Sequence, residues 1–264
     1  MSVQTGLRDH HSDLPGHGFG KYRAVQLDVI GSSPAWPNPG GACSGYLLEG
    51  RVLLDCGPGV LAKLRDRPGA DGWPDVEVIA ITHLHLDHWG DLIPWVWGSL
   101  FGPGASHPKP ELWLPPGARA TLRPILAQLG GEDMLERAFD VDEYEAGRPF
   151  VLAGLTVTAL PVVHYSMPAF GFRVEGDRTL AYSGDTGPCD EIVELARDAD
   201  LFLCEATLDN PKPEAALRGH LSAEEARAAS DEAGAQRLVL THRPDERTPP
   251  PGAELASDGL TLSF

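Results

Sequence analysis

The sequence predicts an α/β fold in which two β-sheets pack face to face with helices on their outer sides. Short apolar, β-branched runs recur through both halves of the chain, as at residues 76–81 and 155–163. Stretches of helical spacing follow them in each half, as at residues 118–129 and 190–196. No low-complexity tract or short-period repeat interrupts this order.

Residues 23–29 read as a strand and lead into a Gly/Pro-rich loop at 31–41. Residues 46–48 and 52–55 read as two strands joined by a tight turn at Glu49-Gly50. Gly57-Pro58-Gly59 ends the second, and residues 60–65 have a short helical pattern. Residues 76–81 form an apolar run that fits a buried strand. A Trp-rich helix is expected at 91–100, a short strand at 112–114 and a helix at 118–129. The second half offers strands at 155–163, 170–174, 180–183, 201–204 and 238–240, with a helix at 190–196. Ser222-Ala223-Glu224-Glu225 is a capping box that opens a helix stopping at Gly234.

The chain has 264 residues, which permits one large domain or two small ones. The polar start, with His10, His11 and His17, lacks the basic-then-apolar order of a secretory signal. It reads as a flexible arm over residues 1–22 ahead of a single domain at 23–264. No apolar run is long enough for a membrane span. Cys43, Cys56, Cys189 and Cys204 form no C-x-x-C pair, so a reducing, cytoplasmic setting is expected. A net charge of −17 repels polyanions and counts against a long nucleic-acid substrate.

The chemistry concentrates in Thr82-His83-Leu84-His85-Leu86-Asp87-His88, directly after the strand at 76–81. Imidazole suits zinc, and a carboxylate can join it. In extended backbone, residues two apart point the same way, so His83 and His85 can share one ion. Asp87 and His88 follow where the backbone turns and can reach a second. His164, Asp185 and His242 each stand just past a strand, where ligands from different strands can converge on one rim.

The run H-L-H-L-D-H resembles the H-x-H-x-D-H hallmark of the metallo-β-lactamase superfamily, and the resemblance extends from about Val25 to His242. It implies a four-layer αββα sandwich of two mixed sheets flanked by helices. It also implies that His83, His85 and His164 hold one zinc and that Asp87, His88 and His242 hold the other. Asp185 would bridge them with a hydroxide, and Asp55 would brace the site from behind. Such ligands also accept manganese or iron.

Three features narrow the branch. Position 85 is His where the di-iron, oxygen-reducing members carry Glu. The bridging candidate is Asp185, where true β-lactamases use Cys or His. Cys204-Glu205-Ala206-Thr207 and Gly219-His220-Leu221-Ser222 resemble the ribonuclease Z branch, in which a Glu and a His form a proton-transfer pair. Carried over, Asp87, His220 and Glu205 are the catalytic residues, with His220 as general acid and Glu205 orienting it. The long arm of tRNA-processing members has no room here, because His164 and Asp185 are 21 residues apart. The expected substrate is therefore a small phosphodiester such as a cyclic nucleotide. A lactone or thioester, or RNA, stands as the alternative. The expected partners are this small molecule and at most a second copy of the chain, with neither nucleic acid nor membrane. Trp36, Trp89, Trp95, Trp97 and Phe101 are candidates for stacking a base, and Arg243 for holding phosphate oxygens.

Overall fold

The computed structural model describes residues 23–67, 72–210 and 218–264. The arm expected over residues 1–22, with its three histidines, lies outside the described residues. The first half supplies β1 (Gln26–Gly31), β2 (Gly45–Leu48), β3 (Val52–Leu54), α1 (Val60–Arg65), β4 (Val78–Ala80), α2 (Leu86–Trp89), α3 (Leu92–Phe101), β5 (Glu111–Leu114), α4 (Ala118–Leu129), α5 (Met134–Ala138) and β6 (Asp140–Glu143). The second supplies β7 (Phe150–Leu152), β8 (Leu155–His164), β9 (Met167–Glu175), β10 (Thr179–Tyr182), α6 (Asp190–Ala196), β11 (Leu201–Glu205), α7 (Ala223–Ala233), β12 (Leu238–Thr241), β13 (Glu254–Leu255) and β14 (Thr261–Ser263).

Two seven-stranded sheets result, ordered β14-β1-β2-β3-β4-β5-β6 and β13-β12-β11-β10-β9-β8-β7. Both are mixed, with parallel runs at β3-β4-β5-β6 and at β10-β11-β12-β13. The period-two alternation of each strand divides its side chains between two cores. Tyr46, Leu48, Val52, Leu54 and Val78 face Phe172, Val174, Leu180, Tyr182 and Leu201 of the other sheet. Their neighbours Leu47, Leu53 and Ile79 face outward, onto α1, α3, α4 and α5. In the second sheet Ala181, Phe202 and Leu240 face outward, onto α6 and α7. The layers are thus α, β, β, α.

The predicted elements are found with small shifts at their ends. The capping box is formed in full: Ser222 Oγ accepts from the Glu225 N–H, and the Glu225 carboxylate accepts from the Ser222 N–H. Several elements carry no such signal in the sequence. β6 reads Asp-Val-Asp-Glu and lies at a sheet edge, where charged side chains are tolerated because one side stays in water. β13 and β14 are two and three residues long, and α5 is five. Segments this short owe their form to what they pack on rather than to their own periodicity.

Candidate metal centre

The sheet directions bring the candidate residues together. β8 and β10 both run antiparallel to β9, so they run parallel to each other and to β11 and β12. His164, Asp185, Glu205 and His242 therefore all lie at the C-terminal ends of strands sharing one direction. Asp55 and the histidine run hold the same place after β3 and β4 in the first sheet, where His83 bridges to Ala169 of β9. A single helical turn, α2, then carries Asp87 and His88 back toward the strand ends.

Two groups of donor atoms form. His85 Nδ1 lies 3.2 Å from His83 Nε2 and 2.8 Å from His164 Nε2. Asp87 Oδ2 lies 3.1 Å from His242 Nε2 and 3.3 Å from His88 Nε2. Asp185 stands between the groups. Its Oδ1 is 3.3 Å from His88 Nε2, and its Oδ2 is 3.4 Å from His242 Nε2 and 3.9 Å from both His83 and His164 Nε2. All these residues except half-buried His85 are buried.

Hydrogen bonds behind the rings set their tautomers. The Thr82 hydroxyl donates to Asp55 Oδ2, so its 3.0 Å contact with His83 requires the proton on His83 Nδ1. His88 Nδ1 donates to Asp55 Oδ2 at 2.8 Å, and His164 Nδ1 donates to the Gly219 carbonyl at 2.6 Å. The Thr207 hydroxyl donates to Glu205 Oε2 and accepts from His242 Nδ1 at 2.9 Å. In His83, His164 and His242 this leaves the Nε2 lone pair aimed into the site, and the His88 Nε2 points at the Asp87 and Asp185 carboxylates, where a cation would take the place of its proton. Engagement of the second nitrogen in this way is how metal-binding histidines are oriented. Asp55 is itself held by the Thr82 N–H at 2.8 Å and the Tyr182 hydroxyl at 2.7 Å.

The donor set fits divalent ions. Among the described residues, buried His88 Nε2 and Asp185 Oδ1 make no hydrogen bond, a costly state that a cation between them removes. Burial holds His83 well below the usual imidazole range, with His88, His164 and His85 pushing the same way, so its imidazole is neutral. Burial also lowers His85 and His164. Burial would lower His88 too, but Asp185, Asp55 and Asp87 more than offset it and raise its pKa well above the usual value. Three carboxylates around one imidazole call for positive charge at this point. Burial alone would raise Asp87 and Asp185, yet the facing histidines hold both below the usual carboxylate range.

Glu205 and His220 form a pair beside these groups. His220 Nδ1 lies 2.9 Å from Glu205 Oε1, and its ring stacks at 5.6 Å on His242 and stands edge-on at 5.0 Å to His164. Glu205 also accepts from the Thr186 N–H at 3.0 Å and the Thr207 N–H at 3.0 Å, which fixes both its oxygens. Burial opposes charge on His220, but Glu205, Asp185 and Asp87 together raise its pKa to about 9.

The expected substrate contacts fare less well. Trp95 is buried between Trp73 and Phe139, at ring distances of 5.6 and 6.3 Å, and belongs to the core. Trp89 is also core, its indole N–H donating to the Leu84 carbonyl. Trp97 and Phe101 pack on each other at 5.4 Å in the outer helical layer, with Arg137 over Phe101. Trp95 and Trp97 are two positions apart on α3, about half a helical turn, so one faces the core and the other is exposed, a distinction that Trp content alone does not reveal. Trp36 is exposed on the loop whose Asn38 donates to the Arg243 carbonyl, next to His242. The Arg243 guanidinium is buried and committed to the carbonyls of Ala206 and Thr248 and to Asp209, so it does not face a substrate. A cavity of about 350 Å³ behind it lies among Asn38, Lys63 and Asp258, away from the donor atoms. Thr82, Tyr182 and Thr207 were not singled out by the sequence. Their only signal is adjacency to the ligand motifs.

The family described as beta-lactamase superfamily domain matches residues 50–243. An uncharacterized protein of Mycobacterium tuberculosis is 37% identical over 236 residues, covering 86% of this chain and 84% of the relative. A protein of Mycobacterium bovis named ribonuclease Z is 29% identical over 245 residues, covering 83% of this chain and 85% of its own. The metallo-β-lactamase fold protein YhfI from Bacillus subtilis superposes with a TM-score of 0.77 at 22% identity, over 92% of this chain and 100% of that one. With this sheet order and these histidines and aspartates gathered at the strand ends of the two sheets, the chain belongs to the metallo-β-lactamase superfamily of hydrolases and is related to ribonuclease Z.

Proposed function

We propose that this chain is a two-metal hydrolase of small phosphodiesters, cyclic nucleotides among them. His83, His85 and His164 would hold one ion, Asp87, His88 and His242 a second, with Asp185 shared between them. Zinc suits this donor set, and manganese or iron can replace it. Bound there, the ions would acidify water and offset charge building on the phosphoryl oxygens. His220 delivers the proton that the departing alkoxide needs. Glu205 accepts a hydrogen bond from the His220 Nδ1–H, which turns Nε2 and its proton toward the site.

The observation that carries the phosphodiester reading is the His220–Glu205 contact of 2.9 Å beside both donor groups. An alkoxide leaving phosphorus needs a proton donor, whereas a thioester expels a weakly basic thiolate and the alkoxide of a lactone is pushed out by the oxyanion of a tetrahedral intermediate. The test is metal analysis of the purified protein, followed by turnover of cyclic nucleotides, bis-aryl phosphates, lactones and pre-tRNA. Two metals per chain and turnover of the phosphodiesters are expected. In a His220→Ala variant, cyclic-nucleotide turnover should fall about 100-fold or more while any lactone hydrolysis persists. Wild-type turnover confined to lactones would overturn the reading.

Ribonuclease Z-like cleavage of RNA is the second reading, favoured by the 29% identity to a protein of that name. The charge of −17 opposes it, as does the interval from His164 to Asp185, much of which is taken up by β9 and β10. Pre-tRNA cleavage exceeding that of every small diester would establish it instead.

A further inference from the structure

Among the described residues the His220 ring lies beside those of His164, His242 and Tyr165. The first two are buried among the donor atoms, whereas Tyr165 is 44% exposed. Its ring centroid lies 5.7 Å from that of His220 and 5.1 Å from that of His164. Whatever His220 protonates must reach its Nε2, and of the three neighbouring rings Tyr165 is the exposed one.

The backbone holds Tyr165 there at a cost. It occupies a two-residue turn between β8 and β9, closed by the His164–Met167 pair, with φ of 50°. Asn, Asp and Gly take this left-handed region readily, and an aromatic residue rarely does. Turn chemistry therefore does not account for a tyrosine at this position, and strained residues of this kind cluster at ligand-binding sites. The ring packs on Gly219, where an added Cβ would lie 2.2 Å from Tyr165 Cε2. The segment that carries His220 is thus cut away to admit the ring.

We propose that Tyr165 is the substrate-binding residue for the leaving side, and that the phosphodiesters taken here carry a flat aromatic group such as a nucleobase on the alcohol that leaves phosphorus. This rests on the phosphodiester reading above. An aromatic ring that is partly exposed beside the proton donor can stack on a base without selecting its hydrogen-bonding edge.

The test compares 3′,5′-cyclic AMP with the 3′,5′-cyclic phosphate of 1-O-methyl ribose, which has the same reacting atoms and no base. Wild type should favour cyclic AMP by about 10-fold in kcat/KM, the size expected of one base–aromatic stack. In Tyr165→Leu the ratio should fall toward one, through KM rather than kcat, while Tyr165→Phe keeps it. Tyr165→Gly removes the ring and relieves the backbone, so its ratio should fall as well even if the leucine variant folds poorly. An unchanged ratio in the leucine and glycine variants, or no wild-type preference, would overturn the role of Tyr165 and leave the phosphodiesterase reading standing. If wild type turns over neither compound nor any other phosphodiester, that reading fails and this inference fails with it.

Discussion

Asp185 is the residue on which the two donor groups depend, because its two oxygens face different sets of imidazoles. Asp185→Ala should reduce kcat/KM by about 1,000-fold or more and leave fewer than two metals per chain by elemental analysis. Retention of both metals and full turnover would sink the assignment. The His220–Glu205 pair makes a separate prediction in pH. His220 is a proton donor only below its pKa, which Glu205 helps raise to about 9, so activity should decline on the basic side. Glu205→Gln removes the charge and lets burial lower that pKa. The basic limb of the kcat profile should then move to lower pH, by about one unit. A limb that stays in place would mean that another group controls it.

At the level of elements, the site depends on how strands end. Cys56 donates to the His88 carbonyl at 2.7 Å, and a Cβ on Gly57 would lie 1.9 Å from the Asp87 carbonyl oxygen. The turn after β3 is thus pressed against the turn carrying Asp87 and His88. Gly57→Ala should push that turn out and weaken metal retention, measurable as faster loss of bound zinc to a chelator. If the loss rate matches wild type, the close approach is not what positions Asp87. The capped start of α7 lies just beyond His220 and anchors the segment that carries it. Ser222→Ala removes the cap and should cost about 1 kcal/mol in urea unfolding.

At the level of the whole molecule, the buried carboxylates Asp55, Asp87 and Asp185 around His88 form a concentration of like charge that folding alone leaves poorly offset. Bound cations stabilise the folded state by mass action, by about 2.7 kcal/mol per site at a hundredfold excess over Kd. Dialysis against a chelator should therefore lower Tm by several degrees, with zinc restoring it. No change in Tm would argue against occupied sites in the native protein. Among the described residues no helix is long and apolar enough to cross a membrane.

Much of this site is legible in the sequence because metal ligands must be a few residue types, and because strand ends are recognisable from apolar runs. The run from His83 to His88, and His164, Asp185, Glu205 and His242, each follow or close such a run. Local periodicity likewise determined the helices and most strands, since each buries one face or alternates between two. What only the tertiary structure decided is which residues meet across long separations. The Thr82, Tyr182 and Thr207 hydroxyls gain a role through partners supplied by other segments, such as Asp55 for Tyr182 and His242 for Thr207. Trp95 and Trp97 differ by burial, and Arg243 is drawn inward by the Ala206 carbonyl. Tyr165 is an ordinary aromatic in the sequence and a rim residue only because Gly219 comes beneath it. Strand direction and sheet order are set by the summed packing of many residues, so no local stretch of sequence could disclose them.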